Sequence, residues 1–189
     1  MTKFAAALAV LAACVLSFPA ADATADYQVD ASHSSVGFSV MHFGVADTRG
    51  RFDAFEGTFG ITDDGIALDV TVQAASLNTN SEARDKHLKN ADFFDVDTHP
   101  TITFKSTSAV NDKGGWSVTG DLTLLGVTQE VTVDIRKVGE GETPYGYRAG
   151  VTCDFTINRS DFGMTWGVDN GAVGDAVTLS IALEGVKAE

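Results

Sequence analysis

Apolar and polar residues alternate along much of this 189-residue chain, and this two-residue period constrains the fold more than any other feature. In one segment, for example, Val131, Val133 and Ile135 alternate with Thr132 and Asp134. Successive side chains of a β-strand point to opposite faces, so each such segment predicts a strand with one buried and one solvent-facing side. Strands of this kind are typical of antiparallel sheets.

About eight strands follow from this pattern, which predicts an all-β fold. Short connections favour pairing between strands that are neighbours in sequence, and closing such a meander removes its exposed edges. An eight-stranded barrel can enclose side chains or one small ligand, although a two-sheet sandwich also fits the pattern. The predicted strands lie near 34–43, 48–61, 66–76, 101–110, 115–124, 128–138, 147–157 and 176–186.

One short helix is predicted near 80–90. Thr79 is followed three residues later by Glu82, a spacing that can form a capping box and satisfy two otherwise unpaired backbone N–H groups. We expect this helix to cover one end of a barrel, with Phe93 and Phe94 beneath it.

A second irregular segment runs over 158–174 and contains Phe162, Met164 and Trp166 among several glycines. Long segments without regular structure are uncommon in compact domains and are often functional. These apolar side chains either line the mouth of a cavity or fold over the core for packing alone.

The first residues predict a secretory signal peptide. Lys3 precedes an apolar run that is too short to span a bilayer comfortably, and small residues up to Ala25 follow it. Cleavage after Ala25 assigns 1–25 to the signal peptide and leaves one domain, 26–189. Alternatively, Cys14 stands in a lipobox-like sequence and could become a lipid anchor. The domain then keeps only Cys153, for which a buried, unreactive thiol is expected.

Composition and motifs argue against several classes of function. The formal net charge of −13 disfavours nucleic acids and anionic membranes as partners. The four histidines show no metal-ligand spacing, and no nucleophile motif occurs. We therefore expect no metal site, no cofactor and no catalytic residues. Histidines that are hydrogen-bonded at strand ends are the simpler interpretation, although a cluster formed in space stays open.

Five ordered segments carry recognisable motifs, among them a run in which Arg84-Asp85-Lys86-His87-Leu88 leads through Phe93-Phe94 to His99-Pro100. The segments are Tyr27 to His42, Gly50 to Gly57, Arg84 to Phe104, Gly120 to Thr128 and Asn158 to Met164. Together they resemble the YceI-like family of periplasmic lipid- or polyisoprenoid-binding proteins. The resemblance implies a lipocalin-like, eight-stranded antiparallel barrel with one short helix. It also implies periplasmic binding, sequestration or transport of a long-chain apolar lipid, polyisoprenoid or quinone-like, without a chemical step.

Candidate ligand-binding residues combine this resemblance with the inward positions of the predicted strands. The candidate wall residues are Phe38, Val40, Phe52, Leu68, Val70, Phe104, Leu122, Leu124 and Phe155. The candidates at the ends are Phe93, Phe94, Phe162 and Trp166, and those for a lipid head group are His42, Arg84 and Arg159. A solid core would use the same residue types, because apolar pockets and cores look alike in sequence.

Two other functions stay open. An envelope enzyme acting on a lipid or quinone would use His33, His42 or Asp85 as acid–base groups. An accessory module for a membrane b-type cytochrome is suggested by that association within the family. The sequence leaves the oligomeric state open, including a homodimer.

Overall fold

The computed structural model describes residues 26–188, so the predicted signal peptide and Cys14 lie outside it. Eleven β-strands and one α-helix, α1 at Glu82–Leu88, form the described part of the chain. Three 3₁₀ turns occur at Ala31–His33, Ala74–Ser76 and Arg159–Phe162. The strands are β1 Tyr27–Val29, β2 Ser35–His42, β3 Ala46–Phe52, β4 Phe55–Ile61, β5 Ile66–Gln73, β6 Leu77–Asn78, β7 Thr101–Asp112, β8 Gly115–Leu124, β9 Val127–Thr143, β10 Gly146–Asn158 and β11 Val173–Lys187.

Eight of these strands close into an antiparallel barrel. The hydrogen-bonded order is β1-β4-β5-β7-β8-β9-β10-β11, and β1 also pairs with β11 to complete the ring. This closure confirms the predicted eight-stranded barrel and excludes a sandwich. At one end β2 pairs with β11 beyond β1, β3 pairs with β2, and β6 pairs with β3.

The predicted strand over 48–61 is in fact two strands, because the chain bends at Asp53 and Ala54 between β3 and β4. The neighbouring segment, between β5 and β6, bends at the same level. Two backbone bonds hold the bends together: Asp53 N–H donates to the Ser76 carbonyl at 3.1 Å, and Gln73 N–H donates to the Ala54 carbonyl at 2.9 Å. The pattern of alternation continues across this bend and therefore does not reveal it.

The two ends of the barrel differ. The closed end carries the β4–β5, β7–β8 and β9–β10 turns, and large side chains fill its interior. The rings of Tyr27 and Phe59 stack there with centroids 5.0 Å apart, and both residues are at most 2% exposed. The open end carries the β2–β3 hairpin, α1 and the segment that joins β10 to β11. Among the described strands, β6 and β7 do not pair with each other.

The helix begins differently from the prediction. Ser81 is its N-cap and makes no side-chain capping bond, so the capping box of Thr79 and Glu82 does not form. The Thr79 hydroxyl instead donates to the Asp85 carboxylate and accepts from Arg84 Nε at 2.8 Å. Phe93 is 4% exposed, consistent with its expected place beneath the helix. No helix within residues 26–188 is long and apolar enough to cross a bilayer.

Candidate ligand-binding cavity

Burial of the inward side chains falls from the closed end to the open end along single strands. On β10, Val151 is 3% exposed, whereas Cys153 and Phe155, further toward the open end, are only half-buried. On β11, Leu183 is 4% exposed and Leu179 is half-buried. The inward faces therefore surround empty space in the outer part of the barrel.

This space is a cavity of about 600 Å³, within the range of roughly 300–1,000 Å³ that is typical of ligand pockets. On β11 its wall includes Val173, Val177, Leu179, Ile181 and Leu183. The six-residue rise from Val177 to Leu183 in a tilted strand corresponds to a depth of about 15 Å along the barrel axis. The wall is almost entirely apolar, and its arginine and histidine side chains, Arg84, Arg159, His42 and His87, lie toward the open end.

The structure brings nearly all of the predicted ligand-binding residues to this cavity. Their contact with a ligand stays a prediction, but their position along one continuous wall is the position that the sequence pattern indicated. Those that line it are Phe38, Val40, Phe52, Leu68, Val70, Phe93, Phe94, Phe104, Leu122, Leu124, Phe155 and Trp166, with His42, Arg84 and Arg159.

Phe162 is the exception. It lies in the 3₁₀ turn after β10, is 2% exposed, and belongs to a small cluster behind the wall with Phe93, Leu124 and Met164. Met164, two residues later, lines the cavity instead. An irregular segment has no fixed period, so the sequence does not show which of its apolar side chains faces inward.

Arg159 is 3% exposed and holds the segment between β10 and β11 in place. Its guanidinium donates to four backbone carbonyls, those of Met164, Trp166, Val173 and Gly174, at 2.8–2.9 Å. Burial lowers the pKa of this guanidinium from its ordinary value. The head-group role of Arg159 stays a prediction, while these four bonds give its side chain a structural role.

Arg84 is placed differently, at the mouth and exposed. Its Nε donates to the Thr79 hydroxyl at 2.8 Å, and a terminal nitrogen donates to the Thr79 carbonyl at 2.6 Å. Thr79 is itself 3% exposed and bonded to Asp85, so the guanidinium is anchored on a rigid neighbour. Within the described chain, no carboxylate lies within ion-pair distance of Arg84. The guanidinium therefore keeps charge and donor capacity for a polar group at the mouth.

Two histidines lie at the mouth, one predicted and one missed. His42 is exposed, and its ring centroid is 4.4 Å from that of Phe43. His87 lies on α1 between Phe93 and Trp166, with ring centroids 5.1 Å from each. It joins the helix segment to the β10–β11 segment across the mouth. The sequence signal that could have found His87 is its place beside Leu88 on the predicted helix.

Several wall residues missed in the prediction follow the same alternation as those that were named. They are Val36, Val72, Ile102, Cys153, Ile157, Val177, Leu179 and Ile181. Cys153 is expected to be an unreactive thiol, and burial, with the charge of Asp154, raises its pKa to about 11. The thiol is therefore protonated at neutral pH, as expected, although it faces the cavity and not a solid core.

Of the two histidines in the enzyme hypothesis, His33 lies further from the mouth. It sits outside the barrel, and its Nδ1 is 2.8 Å from an Asp30 carboxylate oxygen. Asp30, His33 and Glu184 bring potential metal-ligand atoms within 4.8 Å of one another. Arg148 already donates to both of these carboxylates. Hydrogen bonds from Ser32, Arg148 and His33 hold the pKa of Asp30 well below its usual range.

The fold and this site define a class: an antiparallel β-barrel that is packed at one end and contains an apolar cavity open at the other. The chain belongs to the YceI-like family, whose domain matches residues 27–185. It is 39% identical over 179 residues to Protein YceI of Escherichia coli O157:H7, which covers 91% of this chain and 93% of that protein.

Solved structures share the same fold. BcnA of Burkholderia cenocepacia superposes with a TM-score of 0.76 at 24% identity, covering 82% of this chain and 98% of that chain. A polyisoprenoid-binding domain of Saccharophagus degradans, implicated in plant cell wall breakdown, superposes with a TM-score of 0.67 at 18% identity. That match covers 87% of this chain and 100% of the domain.

Proposed function

We propose that this protein binds a long-chain apolar lipid, a polyisoprenoid or quinone-like molecule, and sequesters or carries it in the periplasm. The observation that carries the proposal is the apolar cavity of about 600 Å³, which opens at one end of the barrel. The hydrocarbon tail of the ligand enters the cavity first, and the polar end of the ligand stays at the mouth near Arg84 and His42.

Burial of hydrocarbon is sufficient to drive such binding. Each CH₂ removed from water contributes about 0.8 kcal/mol, so ten of them contribute about 8 kcal/mol before the cost of ordering the chain. A net 8 kcal/mol, reached once further CH₂ groups offset that cost, corresponds to a dissociation constant of about 1 μM. No chemical step is needed, because an open apolar cavity binds and releases a lipid by area alone. A short ligand would fill only part of the wall and bind more weakly.

Membership of the YceI-like family supports this ligand class, and the fold shared with the Saccharophagus degradans polyisoprenoid-binding domain is consistent with it. The periplasmic location rests on the predicted signal peptide at 1–25. Intact-mass measurement of protein isolated from the cell envelope tests that location. Cleavage after Ala25 supports a soluble periplasmic protein, whereas a chain that begins at a diacylated Cys14 supports a lipid anchor.

The ligand itself is tested by filling the cavity. Val70 lines the wall halfway along β5, and Val70→Trp places an indole in the cavity. The matched control is Asp69→Trp, because the adjacent Asp69 faces solvent with 56% of its side chain exposed. Native mass spectrometry of each protein, purified gently from the envelope, measures the lipid that co-purifies. Free lipid extraction then gives its mass and class.

We expect the wild-type protein and Asp69→Trp to carry lipid, and Val70→Trp to be empty with a melting temperature near that of the empty wild-type protein. Filling a solid core would instead cost about 1–3 kcal/mol of stability. Destabilised Val70→Trp, together with no lipid in any of the three proteins, would contradict the proposal.

A further inference from the structure

Exposed apolar side chains surround the mouth of the cavity. On the β2–β3 hairpin, Met41 is 41%, Phe43 is 62% and Val45 is 83% exposed. On the segment between β10 and β11, Trp166 is 42% exposed and also lines the cavity. We call these four residues the rim patch. The apolar wall of the cavity therefore continues outward onto the surface of the open end.

The backbone of Phe43 makes this patch harder to explain as part of the fold. Phe43 has φ 51°, in the left-handed region that residues with a Cβ rarely adopt, and Gly44 follows with φ 66°. An exposed phenylalanine gains little from burial there, and glycine would relieve the strain. The Phe43 N–H donates to the Ala172 carbonyl at 3.1 Å, which fixes the hairpin tip against the segment that carries Trp166. Strain of this kind at an exposed apolar residue points to a function.

Cations without an ion-pair partner lie on or just after α1, whose His87 ring packs against the Trp166 ring of the rim patch. Arg84, Lys86 and Lys89 have no carboxylate within ion-pair distance in the described chain. Glu82, Asp85 and Asp92 lie in the same stretch, so this surface carries charges of both signs. Apolar side chains flanked by cations are typical of proteins that insert shallowly among phospholipid head groups.

We propose that the rim patch docks the open end of the barrel onto a zwitterionic phospholipid bilayer, with Phe43 and Val45 inserted and the α1 cations against lipid phosphates. A zwitterionic surface fits, because the overall negative charge would be repelled by a strongly anionic one. The purpose of docking, the transfer of lipid to or from a bilayer, rests on the proposed function. Docking lets a lipid pass between the bilayer and the cavity without crossing water.

The test is flotation with vesicles of phosphatidylcholine and phosphatidylethanolamine. The variant Phe43→Ser/Val45→Ser removes the hairpin part of the rim patch without changing a cavity residue. The matched control, Val138→Ser/Tyr145→Ser, removes two equally exposed apolar side chains near the closed end, where Val138 is 64% and Tyr145 is 80% exposed. We expect the wild-type protein and the control to float with the vesicles. We expect the rim variant to bind at least about tenfold more weakly, because two apolar side chains no longer insert.

A second variant separates docking from folding. Phe43→Gly is expected to melt at or above the wild-type temperature, because glycine adopts the left-handed backbone freely, and still to bind vesicles more weakly than the wild-type protein. Absence of wild-type flotation, or equal loss in the rim variant and the control, would overturn the proposal. Binding to native membranes that disappears after protease treatment, with none to pure lipid vesicles, would overturn it in favour of a protein partner.

The proposed function is tested independently by titration with a dansyl-labelled prenol in solution, without vesicles. The rim variant is expected to bind this probe like the wild-type protein, because its cavity is unchanged. A wild-type protein that floats with vesicles but does not bind the prenol keeps the docking proposal and loses the lipid-binding one. Prenol binding without flotation keeps the lipid-binding proposal and overturns the docking proposal.

Discussion

The closed and open ends of the barrel use the same alternation of residues but pack in different ways. In both, an aromatic ring packs against a glycine of another strand. At the closed end Phe59 covers Gly185, and the ring of Tyr27 stacks on Phe59 and fills the interior. At the open end Phe104 covers Gly120 with no second ring stacked on it among the described residues. The aromatic ring there lies along the wall, and the interior stays empty.

The difference shows that a cavity in a barrel of this size depends on a few residues and not on a change of fold. Both ends belong to the same ring of strands, and apolar side chains point inward throughout. What distinguishes the ends is the short strand β1, which supplies Tyr27 to the closed end. The open end has α1 and the segment between β10 and β11 in its place, and these lie over the cavity and do not fill it.

The largest expected contrast comes from removing one phenylalanine at each end. Phe59→Ala at the closed end is expected to cost about 3–5 kcal/mol, because the ring is fully buried and its loss leaves a hole. Phe155→Ala on the cavity wall is expected to cost about 1–2 kcal/mol, because the ring already borders empty space. Urea denaturation of the lipid-free proteins measures both. Equal losses of stability would mean that the open end is as solidly packed as the closed end.

Adding a methyl group gives a smaller contrast of the same kind. A Cβ on Gly185 would lie 2.6 Å from the Phe59 ring and 2.7 Å from Tyr27, and the stacked rings have no room to move. A Cβ on Gly50 would lie 2.3 Å from the Phe38 ring, which borders the cavity and can move into it, and 2.8 Å from Thr79 Cγ2. We expect Gly185→Ala to cost about 3 kcal/mol and Gly50→Ala about 1–2 kcal/mol. The Phe38 ring then occupies the cavity, so Gly50→Ala should also weaken lipid binding.

The two arginines of the open end are expected to differ in kind. Arg159→Ala leaves four carbonyls without their charged donor and should cost about 2–4 kcal/mol. Arg84→Ala should change stability by less than about 0.5 kcal/mol, because that side chain is exposed. It should instead weaken binding of lipids with an anionic or carbonyl head. Thermal unfolding and a binding titration separate the effects. If Arg84→Ala lowers the melting temperature while affinity per folded molecule stays constant, Arg84 is structural.

The smallest expected effect concerns the junction between the ends, where Asp30 joins β1 to the turn before β2. A carboxyl whose pKa is lowered by folding contributes stability above its unfolded pKa of about 4, and this contribution is lost as the pH falls below that value. Asp30→Asn should therefore melt lower than the wild-type protein at pH 7, and the difference should shrink by pH 3. A difference that is independent of pH would show that the Asp30 charge is not involved.

The sequence predicted the wall of the cavity well because alternation decides which side chains face inward. It did not predict where the solid core ends, since Leu183 and Leu179 look alike in the pattern although only Leu183 is buried. Residues on irregular segments were the least predictable. Phe162 was expected at the cavity, and the turn that carries it directs its ring into a separate cluster. Arg159, on the same turn, does line the cavity, but its residue type did not indicate that its guanidinium would bond four backbone carbonyls.

Cys153 gives each molecule a built-in reporter of whether its cavity is occupied. It is the only cysteine in the described chain, its side chain lines the cavity, and its raised pKa keeps it protonated at neutral pH. Alkylation at alkaline pH should therefore be faster in the empty protein than in the occupied one, since a lipid chain would lie between the thiol and the solvent. The rate at which an alkylating reagent adds to Cys153 would follow lipid loading and release without any engineered label.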